Sequence, residues 1–182
     1  NTGHMLPQEV TLAEVLKTQG YATGHFGKWH LGCLPQDGTL KQPQPEDHGF
    51  EYSFGTENNA MPSHLNPENF IRNGQVLGKL PGYSCQLVAQ EVRHWFYHHY
   101  TESKPFFLYV AFNEVHTKIA SPEALIAHYA DQKPKIAEYL ANVENLDSAV
   151  GIILQKIAPL GMESNTFVFF SSDNGPLNIY PR

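Results

Sequence analysis

Phe106-Phe107-Leu108-Tyr109-Val110-Ala111-Phe112 is an unbroken apolar run of strand length, and it stops abruptly at Asn113-Glu114-Val115-His116. Side chains of a strand alternate between the two sheet faces, so a run with no polar member suits a strand covered on both sides. This predicts a central strand of a parallel sheet with helices packed on either face. Just upstream, Lys104-Pro105 breaks a predicted helix over about 84 to 100, whose buried side carries Leu87, Val88, Val92, Trp95 and Phe96. Downstream, Ser121-Pro122-Glu123 combines a hydroxyl cap, a proline at the first helical position and an acid near the positive helix end. A longer helix is predicted over about 134 to 158. There Ile136, Leu140, Val143, Leu146, Val150, Ile153, Leu154 and Ile157 recur at three- and four-residue steps, and Gly161 ends it. Asn165 to Ser171 (NTFVFFS) then reads as another buried strand, closed by Ser172-Asp173-Asn174-Gly175.

The N-terminal part follows the same alternation. Thr11-Leu12-Ala13-Glu14 is a capping box that starts a short helix with Leu12, Val15 and Leu16 on one face and a stop at Gly20. A strand over about 21 to 26 follows and runs into Gly27-Lys28-Trp29-His30. Residues 32 to 82 are rich in Pro, Gly and Asn and read as a long loop-dominated region; loops of such length in a compact domain usually have a function. Strands alternating with helices predict an α/β fold, layered α/β/α with a mainly parallel central sheet, in one domain or one large part of a domain. In such sheets ligands bind beyond the carboxyl ends of the strands. The three predicted strands end in Lys28/His30, in Asn113/Glu114/His116 and in Asp173/Asn174, so parallel strands would bring these clusters to one rim.

The 182 residues are 41% hydrophobic and 16% charged, which supplies enough apolar material for a core. A formal charge of −6 gives no reason to expect nucleic acid or an anionic membrane as partner, and an anionic substrate would need local groups to attract it. No stretch approaches the roughly 20 apolar residues of a transmembrane helix. The chain begins at Asn1 and stops at Pro181-Arg182, so both ends are expected to be cut. Cys33 and Cys85 form neither a disulfide framework nor a zinc-type pair; they are free to bridge or to stay reduced.

Each cluster admits two readings on residue type alone. Lys28 beside His30 suits an anionic group and a proton relay, with both side chains on one side if the strand stays extended; a surface lysine and a capping histidine would look the same. His116 directly after a strand suits a general acid, or a histidine tied into its loop. Asp173 and Asn174 offer adjacent oxygens to a hard cation, yet Asp-Asn-Gly is also a turn sequence, and such a cation takes about six to eight oxygens.

Together these residues resemble the sulfatase family, in order and over nearly the whole chain. Gly20-Tyr21-Ala22-Thr23-Gly24-His25-Phe26-Gly27-Lys28-Trp29-His30-Leu31-Gly32 is similar to the family's second signature, with the preceding helix in place. His48-Gly49-Phe50 with Phe54-Gly55 resembles its GFD-x-x-FG segment, with Glu51 for the usual aspartate. Residues 106–116, 139–147 and 171–175 resemble its strand ending in a histidine, the following helix and its metal-binding strand end. The resemblance implies an alkaline-phosphatase-like α/β fold and hydrolysis of sulfate esters, with 1–182 as part of the sulfatase catalytic domain and 32–82 as its loop-rich substrate-side insertion. It implies a calcium ion held partly by Asp173 and Asn174, and a formylglycine nucleophile made from a cysteine. It gives Lys28 the sulfate and the nucleophile's oxygens, His30 the formylglycine and the expulsion of sulfate, and His116 the protonation of the leaving alcohol. Within Glu57 to His64, the side chains of Asn58, Asn59 and His64 are placed to meet sugar hydroxyls, or to serve ordinary loop chemistry. By analogy the substrate is a sulfated small molecule or glycan, a carbohydrate ahead of a steroid or simple aryl sulfate, and the location periplasmic, secreted or lysosome-like.

The sequence departs from the family pattern at three points. The Cys-x-Pro/Ala-Ser-Arg nucleophile motif is absent: Cys33-Leu34-Pro35-Gln36-Asp37 begins like it, lacks the Ser and Arg, and falls after the second signature. The family's N-terminal aspartate pair is absent too. Asn113 and Val115 replace members of the commoner His-x-Pro-His, and a later family lysine would lie past Arg182. These absences predict an internal fragment rather than a dead enzyme. A phosphatase or phosphodiesterase of the same superfamily, and a non-catalytic binder of sulfated glycans, are the rival readings.

Overall fold

The computed structural model describes residues 3–33, 42–101 and 104–175. The near-motif after Cys33 lies, from Leu34 on, outside the described residues. In chain order the elements are α1 (Leu12–Thr18), β1 (Ala22–Lys28), β2 (Tyr52–Thr56), β3 (Ile71–Arg72), β4 (Gln75–Val76), α2 (Ser84–His98), β5 (Phe106–Ala111), α3 (Glu123–Ala127) and α4 (Pro134–Ile157). The capping box forms as predicted: Glu14 N donates to Thr11 Oγ1 at 3.1 Å and Thr11 N to Glu14 Oε2 at 2.7 Å.

The sheet order is β4-β3-β2-β1-β5. β1 lies parallel to both neighbours, with Gly24 opposite Tyr52 on one side and Leu108 on the other. β3 and β4 add a small antiparallel hairpin beyond β2. Alternation assigns the two faces. Ala22, Phe26, Tyr52 and Phe54 pack against Val88, Val92, Trp95 and Phe96 of α2. On the other face Trp29, Phe50 and Ile71 pack against Ala13 of α1. α4 packs against α2, with the small side chains Cys85 and Ala89 of α2 clustered with Ala149 of α4. Both cysteines are free.

Two glycines let the central strands approach. A Cβ on Gly27 would sit 1.9 Å from Ala111 O, and one on Gly55 would sit 1.7 Å from Gly27 O. α2 is also tied to the sheet by a polar bracket: Arg72 donates from Nε and Nη2 to the two oxygens of buried Glu91 at 2.5 and 2.7 Å, and Tyr52 O–H donates to Glu91 Oε1 at 2.5 Å.

Several expectations are corrected. β5 is not central: among the described residues it is the sheet edge, half-buried, with Tyr109 53% exposed, because only β1 pairs with it. The stretch 165–171 forms no described strand; it has no ladder partner among the described residues, and Phe167 is 90% exposed. An apolar run becomes a buried strand only where a neighbour accepts its backbone hydrogen bonds. Conversely, the stretch 32–82 contributes β2, β3 and β4, and β2 is wholly buried. Ser121 does not cap α3; its hydroxyl donates to Glu138 O at 2.9 Å, and Pro122 takes the cap position without a side-chain bond. The buried face of α4 is rotated from the predicted one: it centres on Ala137, Ala141, Asn142, Asn145 and Ala149, and leaves Val143 and Leu154 exposed.

Candidate active site

β1, β2 and β5 run in the same direction, so their carboxyl ends share one rim, with Lys28 opposite Thr56 and Gly27 opposite Ala111. The chain leaving β1 continues to bond to the chain leaving β2: Trp29 N donates to Thr56 O at 2.9 Å and His30 N to Glu57 O at 2.7 Å. His30 has a φ of 52°, a left-handed conformation rare for a residue with a Cβ. The pleat therefore ends at Lys28, and a turn rather than strand alternation sets the relation of Lys28 to His30. Such local strain persists where surrounding bonds over-determine it, and it concentrates at functional sites.

The exits of β2 and β5 are stitched together by a residue of the predicted cluster. Asn113 is 2% exposed, and its Nδ2 donates to Thr56 Oγ1 and to Asn58 O, both at 2.9 Å. His116 N then donates to Asn113 O at 3.0 Å, a turn that leaves the His116 side chain exposed.

Burial and neighbouring charges shift the titration of His30. The pKa of His30 lies below the ordinary imidazole value, first because of burial and next because of the Lys28 ammonium; His116 acts in the same direction, while Glu57 and Asp173 oppose it. Charges at 28, 57, 116 and 173 thus all reach His30. Lys28, His116 and Asp173 therefore lie within electrostatic range of His30. Asp173 arrives from an exposed turn, in which Ser172 Oγ donates to Asn174 O at 2.6 Å and Asn174 Nδ2 to Gly175 O at 2.8 Å.

Asp173 and Asn174 suit a hard cation in kind and fall short of one in number. Among the described residues no group of three or more His, Cys, Asp or Glu side chains converges on a metal position. These residues alone do not make up a calcium site.

Asn58 and Asn59 sit at the same rim, half-buried, their backbone oxygens already used: Asn58 O accepts from Asn113, and Asn59 O accepts from Asn69 Nδ2 at 2.9 Å. His64 is not available to a sugar. Its side chain is wholly buried; Nδ1 lies 3.2 Å from Asn142 Nδ2 and 3.7 Å from Glu114 Oε1. Burial lowers its pKa, against the opposing pull of Glu114. Residue types alone did not mark out Thr56, Glu57 or Asn142.

The model of the sulfatase family matches residues 4–180. The chain belongs to the sulfatase family. It is 31% identical over 195 residues to N-acetylgalactosamine-6-sulfatase of Mus musculus, an alignment covering 96% of this chain and 33% of that protein. It is 33% identical over 197 residues to arylsulfatase A of Bos taurus, covering 92% and 36%. The solved structure of Ps i-CgsB in complex with k-i-k-neocarrahexaose superposes with a TM-score of 0.76 at 21% identity, over 91% of this chain and 40% of that one. This sulfatase chain therefore spans about a third of the length of the curated relatives it matches, and it shares its α/β fold with that solved structure.

Proposed function

We propose that the full-length protein hydrolyses sulfate esters, with a sulfated carbohydrate as substrate and a formylglycine outside these 182 residues as nucleophile. The observation that supports this reading is that Lys28 and His30 leave β1 at the carboxyl rim of the parallel strands, with His116 and Asp173 within electrostatic range of His30. A sulfate ester gathers negative charge on its oxygens as the S–O bond breaks, and fixed cations and donors at that position lower the barrier. Lys28 binds the sulfate oxygens. His30, held toward its neutral form by burial and by Lys28, is suited to accept a hydrogen bond or proton near the nucleophile and help release sulfate. His116, exposed on its loop, protonates the leaving alcohol. Asn58 and Asn59 line the side from which sugar hydroxyls approach.

The nucleophile is neither of the cysteines present. Cys85 is wholly buried, and burial and the Glu114 carboxylate raise its thiol pKa, which keeps it protonated and inert. When bound, calcium would supply positive charge at the sulfate; Asp173 and Asn174 would furnish two of its oxygens and the remainder would come from outside this chain. The names of the relatives, N-acetylgalactosamine-6-sulfatase and a structure with a neocarrahexaose, support a carbohydrate substrate. No observation favours a phosphatase or a non-catalytic binder.

The test is turnover by the full-length protein of an aryl sulfate, an aryl phosphate and a sulfated oligosaccharide, before and after calcium is removed by a chelator. Release of sulfate that falls on chelation is the expected result. Turnover of the phosphate with none of either sulfate would overturn the reading.

A further inference from the structure

The loop 113–118 carries His116, Thr117 and Lys118 into solvent, yet Asn113 and Glu114 are anchored in the interior. Glu114 points inward and its side chain is fully buried. Its Oε1 accepts from Ser84 Oγ and, at 3.0 Å, from Cys85 N, in the first turn of the fifteen-residue α2. A helix start offers free N–H groups and a partial positive charge, which favour a carboxylate. The far side of the loop is tied down as well: His64 N donates to Lys118 O at 3.1 Å, and Asn142 of α4 donates to Ala120 O at 3.2 Å while facing His64 Nδ1. Glu114 Oε2 is buried with no hydrogen-bond partner among the described residues. Burying a carboxylate costs several kcal/mol, and an apolar side chain of similar size would often serve stability as well. What an apolar side chain does not supply is a directional bond that fixes the loop two residues before His116.

We infer that Glu114 is a positioning residue: its buried carboxylate locks the β5 exit loop to the first turn of α2, with His64 and Asn142 bracing the other side, and thereby fixes His116 for proton delivery to the leaving group. This inference rests on the sulfatase reading above.

The experiment uses the full-length enzyme with Glu114→Ala, Glu114→Gln and Ser84→Ala, each checked for a cooperative melt. A displaced proton donor slows the chemical step more than it weakens binding, so Glu114→Ala is expected to lower kcat about tenfold to a hundredfold with KM within about threefold of wild type. Glu114→Gln keeps an oxygen that accepts from Ser84 and Cys85, and should recover kcat to within about threefold of wild type. Ser84→Ala removes one of the two bonds from the opposite side and should cost roughly threefold in kcat, and it decides the matter if Glu114→Ala does not fold. A folded Glu114→Ala with wild-type kcat would overturn the inference, as would Glu114→Gln falling as far as Glu114→Ala, or a rise in KM alone. If wild type turns over no sulfate ester, it is the functional reading that fails. Positioning is then judged from the His116 ring signals in NMR spectra, assigned with His116→Gln: a shift in Ser84→Ala or Glu114→Ala supports it and unchanged signals overturn it.

Discussion

Lys28 is the rim's fixed cation, and its loss should be felt in the rate. Removing a charge-stabilising group of this kind typically costs about 10²–10³ in kcat, so Lys28→Ala in the full-length protein is expected to lower sulfate release by that factor while leaving the melting temperature close to wild type. His25 makes the opposite case, a titratable residue whose consequence is for stability. It packs on Trp29, Phe50 and Tyr109 at ring separations of 5.2 to 5.8 Å, and burial holds its pKa at about 4, below the unfolded value of 6.5. Between those values the unfolded chain binds the extra proton. Stability is therefore intact above about pH 6.5, falls by up to about 1.4 kcal/mol per unit as pH drops toward 4, and levels off below that. Denaturant midpoints at pH 7 and pH 4.5 should show a smaller acid loss in His25→Phe than in wild type. Residue types at strand ends made Lys28, His30, His116 and Asp173 legible as candidates before any coordinates. They did not reveal that His64 is buried or that Glu114 faces inward, because a polar loop residue looks the same in sequence whichever way its side chain turns.

At the scale of elements, backbone proximity sets the tolerances. β1 and its neighbours approach at Gly27 and Gly55 so closely that any Cβ would overlap a carbonyl oxygen. Gly55→Ala should therefore destabilise by at least about 1–3 kcal/mol, measured as a lowered denaturation midpoint, since the strands must part to admit it. Ala149 packs into the α2–α4 contact against Cys85 and Ala89, and Ala149→Leu should cost a similar about 1–3 kcal/mol by overpacking. Glu91→Ala would strand Arg72 beside α2. Because the Arg72 side chain is 40% exposed and can regain water, the loss should fall below the 3–5 kcal/mol typical of a fully buried pair, at about 2 kcal/mol. The helices were the most legible elements: the capping box at Thr11 and Glu14 and the apolar periodicity after Pro134 located α1 and α4 from local information. The strands were less so. β2 (Tyr52–Thr56) is five residues in a glycine- and proline-rich stretch, too short for its alternation to stand out. Residues 165–171 have the composition of a strand and no described partner, and partnership is a property of the sheet rather than of the segment.

At the scale of the whole molecule, β1, β2 and β5 share one carboxyl edge, while residues 165–171 have no ladder partner among the described residues. The 182 residues hold no nucleophile motif, so this chain alone should release no sulfate from an aryl sulfate, with or without added calcium; measurable turnover would contradict the assignment of the nucleophile outside it. Phe167, Val168, Phe169 and Phe170 are all more than half exposed in one contiguous segment, and adjoining apolar surface of this kind promotes association. The isolated chain should self-associate in sedimentation experiments, and Phe167→Ser with Phe169→Ser should shift it toward monomer without lowering the melting temperature. The parallel register of β1 with β5 has a consequence for biosynthesis. Ala22 pairs with Phe106, so β1 leaves the ribosome with half of its hydrogen-bonding capacity unclaimed. At roughly 5–20 residues per second, its second neighbour emerges about 4–17 s later. Throughout that interval the nascent chain exposes an unsatisfied strand edge, a natural target for holding chaperones.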